Sequence, residues 1–194
     1  GKNMSDKLFN NKLIKQNERL INYLRFYEGI DRSELSRKMQ LSMPTIYKSI
    51  DELNAFNIVN KYSSISLNKE YGILVGISIG SSLCKVILLG FDYLPLNSKS
   101  FSYYKDCIYD KIADNLHSDI LLKECMEDSE RNYIYFSTPK TFSELKNILN
   151  LIFECIEHWV ENNEINILSI GLSCTGIINN KTQTILDAYN LSYL

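Results

Sequence analysis

Two capped helical segments separated by about three residues constrain this chain more than any other feature of its sequence. Asp31 with Glu34 three residues later is a capping-box pattern, and Ser42 is the next candidate cap, with Pro44 tolerated in the first turn. An apolar stripe follows at helical spacing: Ile46, Ile50, Leu53 and Phe56. The pattern predicts two short helices joined by a tight turn, with one face of the second helix buried.

The residues around this turn extend the same prediction. Ile30 with Leu35, and Leu41 with Ile46, are spaced to form two hydrophobic staples, and Met39 continues the buried face. An earlier helix is predicted from its apolar face, made of Ile14, Ile21, Leu24 and Tyr27, and Gly29 ends it. A first helix packed across two closely joined helices is the helix-turn-helix arrangement.

A short hairpin is expected after these helices. Apolar residues at 58–59 and 65–67 flank the polar run 61–64, which predicts two strands and would make the unit a winged helix. Residues 1–70 carry 12 Lys and Arg against 8 Asp and Glu, whereas residues 71–194 carry 9 against 15. A basic head on an acidic body indicates that the head is the part that meets phosphate, and double-stranded DNA is the partner expected for it.

The solvent side of the second helix is the candidate DNA-reading surface, because a helix in the major groove reads bases with its first two turns. Lys48 suits guanine or phosphate, Thr45 a base edge, and Tyr47 a phosphate oxygen. An ordinary solvated helix face is the alternative interpretation, and Ser42 is a cap under either. The predicted DNA-binding residues are Ser42, Met43, Pro44, Thr45, Tyr47 and Lys48, with Lys61 and Lys69 in the wing.

Strand patterns replace helical ones from Tyr71 onward. Apolar runs at 73–80 and 85–92 predict a hairpin of buried strands, and 101–104 is expected to be a third strand. A helix is expected over 109–126 and a longer one from Thr141 to about 162–163. A further buried strand is expected over 165–173, ended by Gly176. The chain as a whole is therefore predicted to be α/β.

The motifs along the chain resemble one family. The segment Arg32–Leu53 resembles the winged helix of ROK transcriptional regulators (repressor, open reading frame, kinase). Gly76-Ile-Ser-Ile-Gly-Ser-Ser-Leu-Cys-Lys85 is similar to that family's phosphate-loop hairpin, D-x-G-x-T-x-x-K/R. Gly171-Leu-Ser-Cys-Thr-Gly176 is similar to its G-x-x-x-P-G segment, with Thr in place of Pro, and Asn190 to its Asn-Leu sugar-side loop.

This resemblance implies a winged helix-turn-helix domain over 1–70. Residues 71–194 would then be part of a ribonuclease-H-like lobe of the actin and hexokinase type. It also implies a homodimer, a sugar or sugar-phosphate effector and repression of sugar-utilisation genes. The candidate ligand loop that it assigns is Gly80, Ser81, Ser82, Gly176 and Asn190. Two members have a second interpretation: Gly80 suits any tight hairpin, and a loop Asn is often a turn former.

Departures from the family pattern disfavour catalysis. Ser78 stands where the kinases of the family have Asp, and a neutral hydroxyl does not replace that charge at a metal–nucleotide site. The family's catalytic Asp, sugar-binding Glu and His, and zinc cysteines come after the Asn-Leu loop. The chain stops at Leu194, so the lobe is expected to be incomplete. No catalytic residue or cofactor is expected.

Two alternatives to a regulator remain open: a sugar kinase with an added head, and a protein-interaction module. The first requires phosphate transfer to a hexose, and the second requires an exposed face that another chain covers. The five cysteines are spread without a C-x-x-C pair, so no metal site is expected. No signal peptide or bilayer-length apolar run is present, and a cytoplasmic protein without a membrane partner is expected.

Overall fold

The computed structural model describes residues 4–96, 99–115, 133–179, 181–182 and 184–187. The chain is a mixed α/β protein that divides into two compact units. The first contains Gly1–Tyr71 together with Phe91–Tyr93, and the second contains Gly72–Gly90 together with Leu94–Leu194. None of the described helices combines the length and apolarity that a bilayer-spanning segment needs.

The first unit consists of helices followed by a small hairpin. Its elements are α1 (Met4–Gln16), α2 (Glu18–Phe26), α3 (Arg32–Met39), α4 (Met43–Ala55), β1 (Val59–Lys61) and β2 (Ile65–Leu67). The two strands pair antiparallel, with Val59 opposite Leu67. Every element contributes core side chains, α1 through Leu13. The most deeply buried, each at most 1% exposed, include Ile21, Leu24, Leu35, Ile46, Ile50, Leu53 and Ile65. The two predicted helices joined by a short turn and the two predicted short strands are therefore present here.

The predicted first helix differs in two details from the structure. It is two helices, because Asn17 interrupts it and its amide side chain donates to the carbonyl oxygen of Leu13 at 3.0 Å. Tyr27, expected on the buried face, lies past the end of α2 with 54% of its surface exposed. Its backbone is extended there, which turns its side chain away from the stripe that Ile21 and Leu24 continue.

The second unit is built on a four-stranded sheet. Its elements are β3 (Gly72–Ile79), β4 (Leu83–Leu89), α5 (Lys99–Asn115), β5 (Tyr133–Ser137), α6 (Phe142–Asn162), β6 (Asn166–Cys174), β7 (Ile177–Asn179) and β8 (Thr184–Asp187). The strand order is β5-β4-β3-β6, with β3 parallel to β6 and the other neighbours antiparallel. Buried side chains from the sheet, α5 and α6 form one core, whose largest member is Trp159.

The expected strand at 101–104 is wrong, because these residues lie inside α5. The buried positions Lys105, Ile108, Tyr109 and Ile112 recur at helical spacing, so a helix that continues backward includes 101–104. The helix expected over 109–126 is confirmed as far as Asn115, and its remainder lies outside the described residues. The small β7–β8 hairpin has no counterpart among the predictions.

The strand expected over 165–173 is present as β6, but its predicted burial is wrong over the second half. Ile170 is 53% exposed and Leu172 is 66% exposed. Among the described strands β6 has one neighbour, β3, so it lies at the edge of the sheet. Continuous apolar runs are typical of strands covered on both faces, and an edge position removes part of that cover.

Candidate nucleic-acid interface

The turn between α3 and α4 is fixed by hydrogen bonds to α3. Gln40 adopts a left-handed backbone, with φ of 56°, and its N–H donates to the carbonyl oxygen of Ser36. Leu41 N donates to the same oxygen at 3.1 Å, and the Ser36 hydroxyl donates to Leu41 O at 2.6 Å. These bonds satisfy carbonyls at the end of α3 and set the direction in which α4 begins.

Both predicted helix caps are confirmed. Asp31 Oδ1 accepts from Glu34 N at 2.8 Å, and Ser42 Oγ accepts from Thr45 N at 3.4 Å. The Ser42 and Thr45 hydroxyl oxygens lie 2.8 Å apart, so the start of α4 presents two linked hydroxyls. Pro44 occupies the first turn, where its missing N–H costs no helical bond.

The first predicted staple has both of its members buried, and the second does not. Ile30 and Leu35 are 5% and 0% exposed. Leu41 is 42% exposed whereas Ile46 is fully buried, so the expected staple between them is wrong. Because the turn is already held to α3 through backbone bonds, Leu41 is free to face solvent.

Helix α4 has one fully buried face and one open face. Ile46, Ile50 and Leu53 are 0% exposed, and Phe56 is half-buried just beyond the helix. The predicted outward residues are exposed except Met43, which is half-buried: Ser42, Pro44, Thr45, Tyr47 and Lys48. The aliphatic side of α4 therefore packs into the core of the first unit, and hydroxyl, aromatic and ammonium groups point to solvent.

The two predicted wing cations are engaged by carboxylates. Lys61 Nζ lies 2.6 Å from Asp51 Oδ1, a residue of α4. Lys69 pairs with Glu28 and lies 3.8 Å from Asp92 Oδ2. The hydrogen bond that Lys69 donates to Glu28 raises the pKa of Lys69, with burial acting against it. Both predicted wing cations therefore have carboxylate partners, and their contact with DNA phosphate stays a prediction.

Arg32 is a cation beside α4 that was not among the predicted site residues. Its guanidinium carbon lies 4.9 Å from the centre of the Tyr47 ring. Its Nε atom is buried and has no hydrogen-bond partner among the described residues. In the sequence Arg32 directly follows the helix cap Asp31, which places it in the first turn of α3. The position of this cap is the sequence signal that could have identified Arg32 as a site residue.

The candidate ligand loop lies in the second unit, at the edge where parallel strands end. Gly80 N donates to Leu83 O at 3.0 Å to close the β3–β4 turn. A Cβ at position 80 would lie 2.6 Å from Leu83 O, so the turn itself requires glycine. This favours the tight-hairpin interpretation of Gly80. Ser81 is half-buried and Ser82 is exposed beside it.

Two threonines join the loop to the ends of neighbouring strands, and neither was predicted to belong to the site. Thr138, just after β5, donates from its hydroxyl to Gly80 O at 2.7 Å and from its N–H to Ser82 O at 3.0 Å. Thr175 N donates to Ile79 O at 3.0 Å, which brings the neighbouring Gly176 to the same sheet edge. Asn190 lies outside the described residues.

The hairpin does not bring a carboxylate to this edge. Ser78 is exposed and lies opposite Lys85 in the β3–β4 register. The Lys85 ammonium lies 4.3 Å from the centre of the Tyr133 ring and 5.7 Å from that of Tyr135. Within the described residues no group of three or more His, Cys, Asp or Glu side chains is placed to hold a metal ion.

Cys84 and Cys174 flank the end of β3, each in register with Ile79. Burial raises the pKa of both thiols, and the Cys84 sulfur lies 3.6 Å from the Thr138 hydroxyl. Thiols with raised pKa hold their proton at neutral pH and are poor nucleophiles. They behave as packing residues of the sheet.

Comparison with known proteins gives a likeness to solved structures alone. No family model matches the sequence, and no curated protein is similar to it. Among solved structures, a crystal structure of a ROK family transcriptional regulator, a homolog of the E. coli MLC protein, is 13% identical with a TM-score of 0.43. The match covers 83% of this chain and 35% of that one, so this chain spans about a third of that regulator's length. A likeness this slight assigns no function to this chain.

Proposed function

We propose that this protein is a DNA-binding transcriptional regulator whose first unit is a winged helix-turn-helix. The observation that carries the proposal is the division of α4 into a fully buried aliphatic face and an open face bearing Ser42, Thr45, Tyr47 and Lys48. Helix α3 and a three-residue turn precede it, and the β1–β2 hairpin follows it. This order is the one in which winged helices present a recognition helix.

The open face suits the major groove in shape and chemistry. The groove, about 12 Å wide, admits one helix, and its base edges offer acceptors to a lysine or a hydroxyl. Lys48 supplies the ammonium, and Thr45 contributes a hydroxyl already linked to that of Ser42. Tyr47, 47% exposed, has its phenol available to a phosphate oxygen.

Asp51 and Glu52 limit how far along α4 the DNA-reading surface extends. Both carboxylates are exposed one turn after Lys48, and a negative charge opposes the approach of phosphate. The pairing of Asp51 with Lys61 offsets one of them. We therefore assign base contact to the first two turns of α4, and to Lys61 the role of neutralising Asp51.

For the second unit we propose sensing rather than catalysis. The resemblance of its motifs to the ROK family supports a ribonuclease-H-like lobe that binds a sugar or sugar-phosphate. Repression of sugar-utilisation genes in the cytoplasm would be its biological role. The loop at Gly80–Ser82 offers hydroxyls and backbone groups, and Ser78 offers a hydroxyl in place of the carboxylate that phosphoryl transfer uses.

A separate observation, on strand β6, favours association of the second unit with a second copy of the chain. Ile170 and Leu172 are more than half exposed on β6, an edge among the described strands. Exposed apolar residues on a strand edge favour pairing with another polypeptide. A homodimer predicts that the mass in solution rises with concentration to twice 22.5 kDa and that Leu172→Ser lowers the dimer fraction. A mass that stays at one chain for both proteins contradicts it.

A salt titration tests the DNA-binding proposal. Fluorescence anisotropy with a labelled duplex of mixed sequence would give the affinity of the wild type, of Lys48→Ala and of Lys146→Ala. Lys146 is an exposed lysine on α6 and serves as the matched control. We expect log affinity to fall linearly with log salt, and Lys48→Ala to flatten the slope by about 0.9 if its ammonium contacts phosphate. A flat wild-type slope, or equal effects of the two substitutions, contradicts the proposal.

A further inference from the structure

The arginines of the first unit differ in how their donors are satisfied. Arg19 donates to the carbonyl oxygens of Met39 and Lys38, at 3.2 and 3.5 Å. Arg25 donates from Nε to Phe91 O at 3.0 Å. Both therefore tie one part of the unit to another. The Arg32 side chain makes no hydrogen bond and no ion pair with any described residue, although Arg32 is half-buried.

The Arg32 guanidinium, whose N–H groups bond to no described residue, is held beside the outward side of α4. Its guanidinium lies over the Tyr47 ring, 4.9 Å from the centroid, so the contact spans from the first turn of α3 to the outward side of α4. Stacking on an aromatic ring fixes the plane of a guanidinium without using its N–H groups. An arginine held in this way has its Nε atom buried, and its two Nη groups, which bond to no described residue, are left for an external acceptor.

The two wing lysines are engaged elsewhere and leave this role to Arg32. Lys61 is paired with Asp51, and Lys69 with Glu28. The nearest carboxylate in sequence, Asp31, uses Oδ1 to accept from Glu34 N and forms no ion pair with Arg32. Among these cations, Arg32 alone is both held in place and without an acidic partner.

We propose that Arg32 binds a phosphodiester of the DNA backbone, next to the bases that α4 reads, and that Tyr47 is the platform that positions it. A guanidinium meets a phosphate through two parallel N–H···O bonds, and phosphate contacts set the register of a helix on the duplex. The proposal rests on the proposed function and goes beyond it, since it transfers the anchoring role from the wing lysines to α3.

The salt dependence of binding to a mixed-sequence duplex tests whether Arg32 neutralises a phosphate. Removal of one phosphate-binding cation flattens the slope of log affinity against log salt by about 0.9, which is about 3.5-fold in affinity over a fourfold salt range. We expect this change for Arg32→Ala. Arg37→Ala is the matched control: Arg37 is exposed on the same helix, and its charge acts on Tyr23 of α2. Its slope should equal that of the wild type.

The positioning role of the Tyr47 ring is tested separately, in variants that keep Arg32. Tyr47→Leu should abolish most of the Arg32 contribution to the slope, and Tyr47→Phe, which keeps the ring, should retain it. Thermal melts of all variants show whether each is folded, and the Tyr47 pair remains informative if Arg32→Ala is not.

The outcomes separate the two proposals. A wild-type slope that is steep, with Arg32→Ala or Tyr47→Leu indistinguishable from the wild type, overturns the Arg32 assignment and leaves DNA binding standing. Equal flattening by Arg32→Ala and Arg37→Ala also overturns it, because general charge then explains both. A wild-type protein without salt-dependent binding overturns the proposed function itself.

Discussion

Replacement of Asp51 by Asn should strengthen DNA binding. In the wild type the Asp51 carboxylate holds the Lys61 ammonium at 2.6 Å, with the side chains 56% and 38% exposed. A pair this exposed contributes about 0.2–1 kcal/mol to folding, so its loss leaves the protein folded. The substitution removes a negative charge from the outer face of α4 and frees one ammonium in the wing.

The freed Lys61 ammonium determines how much the DNA affinity of Asp51→Asn should change. One added phosphate contact steepens the slope of log affinity against log salt by about 0.9, so the gain in affinity over the wild type grows about 3.5-fold when salt falls from about 200 to about 50 mM. A double-mutant cycle separates this from the simple loss of the carboxylate. Its members are the wild type, Asp51→Asn, Lys61→Gln and the double variant.

Anisotropy with a mixed-sequence duplex would measure all four slopes. We expect Asp51→Asn to be the steepest, Lys61→Gln to resemble the wild type, and the double variant to resemble Lys61→Gln. The reasoning is refuted if Asp51→Asn leaves the slope unchanged. It is equally refuted if Lys61→Gln alone flattens the slope by the full amount of about 0.9, since Lys61 would then contact phosphate despite its carboxylate partner.

The remaining predictions concern stability and activity. Asp31→Ala should cost about 1–2 kcal/mol and Ser42→Ala less, because the first cap bond is 2.8 Å and the second 3.4 Å; urea denaturation followed by circular dichroism would show the order, and a reversed order would contradict it. Ile50→Ala, at a fully buried position, should cost about 2–5 kcal/mol in the same assay, and a destabilisation below about 1 kcal/mol would show that α4 is not pinned. Gly80→Ala should destabilise the β3–β4 hairpin, since the Cβ of the new alanine would lie 2.6 Å from Leu83 O. An unchanged melting temperature would contradict this close approach of Gly80 and Leu83. A coupled assay with ATP and a panel of hexoses should give no turnover, and measurable turnover would revive the kinase alternative.

Local signals in the sequence predict the elements around α4 well. Caps such as Asp31 and Ser42 act within three residues, and the stripe Ile46, Ile50 and Leu53 is a property of a single helix. Such features depend on backbone geometry that a short segment determines by itself. They are sufficient to place the open face of α4.

Features that depend on distant partners are not predicted in this way. The ion pairs of Lys61 and Lys69 were not predicted, because nothing in their own segments shows that Asp51, Glu28 and Asp92 lie beside them. The exposure of β6 depends on its place at the sheet edge, which the apolar composition of the strand does not encode. Pairings of this kind arise from tertiary packing and override local patterns.

Likewise, the candidate site has members that only the fold reveals. Arg32 meets Tyr47 because α3 and α4 pack together, and Thr138 meets Gly80 although the two are 58 residues apart. Both contacts join different elements of the fold, so spacing along the chain offers no signal for either contact.

Hydrogen–deuterium exchange with and without duplex DNA tests the central claim most directly. At low salt, with the duplex in excess, amides of the peptides that cover Ser42–Asp51 should exchange more slowly, with a smaller effect over the β1–β2 hairpin. Peptides from α6 should be unchanged. Protection confined to α5 or α6, or no protection at α4 while the duplex is saturated with protein, would contradict the assignment of α4 as the DNA-reading helix.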